Sequence, residues 1–311
     1  MAVDRGKSRF LDPLAVQHVR GFEMRARLIV EGFLTGMHRS PFHGFSAEFA
    51  EFKPFNPGDE PRNIDWKVYG KTNRLYTRRY EEETNLRGYL LLDTSSSMHY
   101  PEQGLSKLDY AAHLAGALAY LLVRQRDAVG LTLFDDEVRF QARPRARLSH
   151  LVPLFRELQT LLEQREPTGR ATATPDILHQ VAPRLGRRGL VMLFTDGWMH
   201  GRPVEELTAA LQHLRHNQHE VVVYLVQDFQ RERELDLGVH PLLLKDLETG
   251  ADLKVQPENI QTAYRQAVNT YLDTLRRQCR ALNIELVELD TRTSYAHGLK
   301  QYLIKRQRML R

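Results

Sequence analysis

Cysteine is all but missing from this chain: Cys279 stands alone among 311 residues. A single thiol excludes an internal disulfide framework and any thiolate metal cluster. Its helical surroundings make it a small core or surface residue. No stretch approaches 18 consecutive apolar residues, so no membrane span is expected. The opening residues, MAVDRGKSRFLD, hold no apolar leader segment. Both absences point to a cytoplasmic protein. Catalytic signatures are missing as well. There is no Walker-type glycine-rich loop with its lysine, no G-x-S-x-G elbow, and no histidine or other base set by motif beside a serine. Internal repeats and low-complexity tracts are absent. Charge is not concentrated either: the net value is +5, and the excess arginine is spread along the chain. That permits an acidic or nucleic-acid partner without demanding one.

What remains is an ordinary globular composition, 42% hydrophobic and 27% charged, sufficient for a real core. The length suits one large domain or two ordinary ones. Residues 13–37 are expected to form one helix. Val16, Val19, Phe22, Leu28, Ile29 and Phe33 fall at helical spacing, and Pro13 suits a first turn. Residues 38–86, rich in aromatics, glycine and proline, read as short strands joined by turns, with NPGD at 56–59 the clearest turn.

From Leu86 strands and helices alternate. GYLLLD (88–93), AVGLTLFD (128–135), GLVMLFTD (189–196) and EVVVYLVQD (220–228) read as strands, with VRFQA (138–142) a short companion. Helices are expected at 106–125, 148–164, 175–185, 204–217, 257–282 and 294–309, with IELVELD (284–290) between the last two. PLLLKDLETGADLKVQP, within 229–256, looks like a hairpin inserted on the sheet and turning at Glu248, Thr249 and Gly250. Apolar strands separated by helices indicate a parallel sheet covered on both faces. The expected fold class is therefore α/β, a doubly wound, mostly parallel sheet over 86–311, with a smaller helical and β-rich subdomain over 1–85.

In such sheets function gathers beyond the carboxyl ends of the strands. One strand here ends DTSSS (93–97) and another ends TDG (195–197). Asp93, Ser95 and Ser97 alternate, so a turning loop can aim their oxygens inward together. Asp196 leaves a second strand at the same edge. The loop GRATATP (169–175) adds Thr172 and Thr174. Two carboxylates and several neutral hydroxyls suit a hard cation such as Mg2+ or Mn2+, since magnesium takes six oxygens at about 2.0–2.1 Å and keeps several waters. Hydroxyl ligands add no negative charge, so the ion stays electrophilic and an open position can accept a partner's carboxylate. The plainer alternative is that these groups only cap turns and helices.

DTSSSM, the threonine loop and FTDG resemble the metal-ion-dependent adhesion site of von Willebrand factor type A domains, whose motif is DxSxS, then Thr, then Asp. Upstream, EFKPFNPGDEPRNIDWKVYGKTNRLYTRRYEEET looks like the bacterial family called domain of unknown function 58. Its signature couples PGD-x-x-R-x-IDW to RxYEEE and then to a D-x-S-x-SM strand end. Pro57, Gly58, Asp59, Arg62, Ile64, Asp65, Trp66, Arg79, Tyr80, Glu81 and Glu82 stand in that order. The resemblance covers at least residues 40–228. It implies that Asp93 holds the ion partly through water, that Ser95 and Ser97 ligate directly, and that Asp196 acts through water or from behind. Counting back from RRGLVMLF, as members are commonly spaced, favours Thr172 as the threonine, with Thr174 the fallback. Larger members often carry N-terminal transmembrane helices, which this chain does not show. Members are commonly associated with MoxR-type AAA+ ATPases. The resemblance therefore implies a non-enzymatic adaptor that binds a protein through its metal site.

Several tempting features read better as structure. Arg62 and Asp65 can pair to lock a turn while Trp66 packs. RRYEEE (78–83) reads as a solvated face. His99 follows the site, but imidazole is a poor partner for magnesium. Asp135 and Asp136 end a strand at the same edge and read as a turn. Two other functions compete. A metal-dependent hydrolase or phosphatase would turn over a phosphoester. An Arg-rich nucleic-acid binder would bind salt-sensitively without metal.

Overall fold

The computed structural model describes residues 11–37, 52–54, 69–70, 76–78, 86–101, 104–164, 173–186, 188–198, 201–238, 240–247 and 250–309. The NPGD turn, the IDW element, residues 79–83 and Thr172 lie outside the described residues.

The N-terminal part gives α1 (Pro13–Gln17), α2 (Phe22–Met37) and an antiparallel pair, β1 (Phe52–Pro54) with β2 (Tyr76–Arg78). The single helix expected over 13–37 is thus two. Gly21 adopts φ +81°, a left-handed conformation that glycine takes without strain, and the chain turns there. The apolar spacing runs across the break because Val16 and Phe22 are buried in the same core.

The rest alternates as expected: β3 (Arg87–Asp93), α3 (Lys107–Arg124), β4 (Ala128–Phe134), β5 (Val138–Arg145), α4 (Leu148–Glu163), α5 (Thr174–Val181), β6 (Leu190–Thr195), α6 (Val204–His216) and β7 (Glu220–Gln227). The expected hairpin follows as β8 (Leu242–Lys245) and β9 (Asp252–Val255), then α7 (Pro257–Ala281), β10 (Glu285–Asp290) and α8 (Ala296–Met309). Six strands form one sheet in the order β10-β7-β6-β3-β4-β5. All neighbours are parallel except β4 and β5. On β3, Leu90 and Leu92 enter one apolar cluster while Tyr89 and Leu91 enter the other. That is why this strand is apolar throughout: successive side chains point to opposite faces, and both are covered. Helices α2, α3, α4 and α8 contribute to the first cluster, and α5, α6 and α7 to the second.

β5 forms one edge of the sheet. Its residues alternate between half-exposed and exposed, it holds Pro144, and its register with β4 shifts twice. From β3 the chain moves outward to β4 and β5, then crosses back to build β6, β7 and β10 on the other side. The winding reverses between β3 and β6, which opens a crevice at their carboxyl ends.

One buried contact docks α2 on α3. His113 stacks on Phe22 at 5.3 Å, donates from Nδ1 to Asp109 O at 2.6 Å, and meets Arg25 Nη1 at Nε2, 3.2 Å away. Nε2 must therefore accept, so the ring must be neutral. Burial, helped by the Arg25 charge, lowers its pKa from 6.5 to about 4. An unfolded histidine takes up its proton near pH 6.5. The contribution is therefore complete above pH 6.5 and is lost as the pH falls toward 4, to a total on the order of 3 kcal/mol. Urea midpoints at pH 7 and pH 5 should differ for the wild type and differ less for His113→Gln. Equal slopes would show that His113 does not carry the acid sensitivity.

Among the described residues no helix is long and apolar enough to cross a membrane.

Candidate metal centre

The site begins where β3 runs out of apolar residues. Thr94 donates its backbone N–H to Phe134 O at 2.7 Å, which holds the exit from β3 against β4. Asp93 Oδ1 accepts Ser95 N at 3.0 Å, so the carboxylate folds the chain back on itself. A 3-10 turn over Ser96–His99 follows. The result is that Ser95 Oγ and Ser97 Oγ lie 3.2 Å apart. Asp93 and Ser95 are fully buried, whereas Ser97 is half-buried.

The second contribution comes from β6. Thr195 Oγ1 donates to Asp93 Oδ2 at 2.8 Å and accepts Gly197 N at 3.1 Å. Asp196 follows, fully buried, with Oδ1 accepting Trp198 N at 3.1 Å and its backbone O accepting Gln227 Nε2 at 2.8 Å. Gly197 has φ +74°. The third comes from the start of α5, where Thr174 Oγ1 donates to Asp93 Oδ2 at 3.1 Å. Asp93, Ser95, Ser97, Thr174 and Asp196 therefore converge from three loops. Thr172 lies outside the described residues; the fallback, Thr174, bonds Asp93.

These residues fit a magnesium-sized ion. Adjacent ligands of an octahedron with bonds of about 2.1 Å stand about 3.0 Å apart, close to the separation of the two serine hydroxyls. All the donors are oxygen. The electrostatics agree: burial, then the charge of Asp196, pushes the Asp93 carboxyl above its ordinary pKa. Two buried carboxylates repelling each other form a site short of positive charge.

One positive charge is supplied from within, and the sequence did not announce it. Lys107, almost fully buried, donates Nζ to Asp196 Oδ2 at 2.7 Å and to Glu232 Oε1 at 2.5 Å. Burial alone would discharge it, but Asp196 and Glu232 outweigh burial and raise its pKa. Glu232 sits in the turn Phe229–Arg233 after β7 and also receives Trp198 Nε1 at 3.3 Å. The available signal was a lysine in the first turn of an otherwise apolar helix, where the positive end of the helix dipole disfavours it. Glu232, inside the charged run QRERE, gave none. Asp135 is the turn residue it read as: its carboxylate accepts Glu137 N and Arg139 Nε.

The site thus lies beyond the carboxyl ends of β3 and β6 in a doubly wound, mostly parallel α/β sheet. The chain belongs to the family described as "Protein of unknown function DUF58", whose profile matches residues 51–274. A protein of Mycobacterium tuberculosis described as uncharacterized is 23% identical over 305 residues, covering 96% of this chain and 91% of that one. Among solved structures, an aerotolerance-related membrane protein from Bacteroides fragilis is similar with TM-score 0.44 at 16% identity, over 71% of this chain and 97% of that one. The conserved hypothetical protein BatB from Bacteroides thetaiotaomicron is similar with TM-score 0.43 at 15% identity, over 71% and 98%.

Proposed function

We propose that this protein is a non-enzymatic, metal-dependent adaptor that binds a carboxylate of a partner protein through Mg2+ or Mn2+. Ser95 and Ser97 hold the ion directly, Asp93 holds it partly through water, Asp196 acts through water or from behind, and a threonine, Thr172 or Thr174, is a further ligand. The partner is a MoxR-type AAA+ ATPase or its client, as the family resemblance implies, and the work is chaperone-like assembly. The observation that carries this reading is the pair of serine hydroxyls 3.2 Å apart beside a buried carboxylate, with Ser97 reaching the surface. Phosphoester hydrolysis fits less well. Asp93 is engaged by Ser95 N, Thr174 and Thr195, so it is poorly placed to take a proton from a substrate.

Pull-down of a purified MoxR-type ATPase on the full chain tests this. Retention is expected with Mg2+ or Mn2+ and is expected to be lost with EDTA or with Ser95→Ala. Retention indifferent to EDTA would overturn the reading. Salt-sensitive retention of nucleic acid without divalent metal would favour the nucleic-acid alternative.

A further inference from the structure

Lys107 is the first residue of α3 and is almost fully buried. A buried ammonium is costly unless carboxylates satisfy it. Here two do so, from different places. Asp196 follows the end of β6, and Glu232 belongs to the turn after β7. That turn is itself fastened: Glu232 Oε2 accepts Asp228 N at 2.7 Å, and its backbone O accepts the Tyr264 hydroxyl at 2.6 Å from α7. Lys107 is tied to the serine loop as well, its backbone N–H reaching Tyr100 O at 2.9 Å. The ammonium thus occupies one oxygen of a carboxylate assigned to the ion, and the backbone of Trp198 occupies the other.

We propose that Lys107 is a protein-borne cation that shares Asp196 with the divalent ion and sets how weakly the site holds it. This rests on the metal-site reading above and extends it to the strength of binding. Two positive charges on one carboxylate repel each other, and the repulsion is little screened where water is excluded. With Lys107 in place, Asp196 faces the ion with each oxygen already accepting one hydrogen bond, which weakens it as a direct ligand. Without the ammonium, three carboxylates (Asp93, Asp196 and Glu232) share the region with one cation fewer, and a divalent ion gains by compensating them.

Isothermal titration of the full chain with MgCl2 and MnCl2 tests this, comparing wild type, Lys107→Met and the double variant Lys107→Met/Glu232→Gln. Methionine keeps the length of the buried stem. The double variant also removes the second carboxylate, so only Asp196 loses its partner and the buried charge left behind is smaller. Lys107→Met is expected to bind either ion at least tenfold more tightly than wild type, and the double variant is expected to fall between them. Tighter binding by the variants with undetectable binding by wild type would be the extreme form of the same result. A lysine that merely fastens the fold would leave affinity unchanged or weaken it. Wild-type binding with unchanged or weaker affinity in the variants would therefore overturn the proposal and leave the metal site standing. No binding by any of the three proteins would overturn both.

Discussion

Asp93→Asn is expected to keep the fold and lose the divalent ion. Asn Oδ1 can still accept Ser95 N. Its amide can donate to the hydroxyls of Thr174 and Thr195, which rotate from donor to acceptor, so these three hydrogen bonds have replacements. The charge disappears. In the absence of metal that is a relief, because burial and Asp196 both oppose the Asp93 carboxylate. The metal-free variant should therefore melt at or above the wild-type temperature. A ligand at 100 times its dissociation constant stabilises the folded state by about 2.7 kcal/mol. At about 2–4 °C per kcal/mol for a domain of this size, wild type should gain roughly 5–10 °C in Mg2+ or Mn2+. The variant should gain nothing. A variant that keeps the shift would remove Asp93 from the site. A variant that fails to fold would show that the carboxylate is structural first.

Gly197→Ala should be the most damaging single methyl at the site. The residue has φ +74°, and a Cβ there would stand 2.4 Å from Leu225 Cδ1, in the fully buried core of β7. The left-handed backbone costs about 1–2 kcal/mol for a non-glycine residue, and overpacking adds about 1–3 kcal/mol. Relief by shifting the backbone would pull Trp198 N off Asp196 Oδ1 and the Tyr271 hydroxyl off Gly197 O. A loss of about 2–5 kcal/mol in urea unfolding is expected, together with weaker metal binding. Gly201→Ala is the control. Its φ is +77° but no described residue stands within 4 Å of the added carbon, so the backbone strain dominates. Equal losses at the two positions would mean that the clash with Leu225 relaxes without consequence.

The sheet was legible because β3, β6 and β7 are buried on both faces, and that demand writes an unbroken apolar run that ends abruptly at a polar residue. Asp93 and Asp196 stand at those endings, and Ser95 and Thr174 join them because chain order and loop position alone put them at the same edge. The break at Gly21 was hidden because the helices on either side of it face one core and keep one rhythm. Lys107 and Glu232 stayed invisible for a different reason. They are 125 residues apart, and each looks like an ordinary surface charge until the fold brings them together. Thr195 precedes Asp196 at the strand end, and only the fold shows that its hydroxyl bonds Asp93.

The two margins of the sheet are unlike, and this limits how copies of the chain can associate. The β5 margin presents Arg139, Gln141, Arg143 and Arg145 outward, carries Pro144, and shifts register twice against β4. A proline, bulges and like charges all oppose the addition of another strand. Within the six-stranded sheet, strand-to-strand joining of copies is then left to β10. Two copies meeting there about a two-fold axis would use up that margin in both, so growth along this sheet would stop at a closed pair.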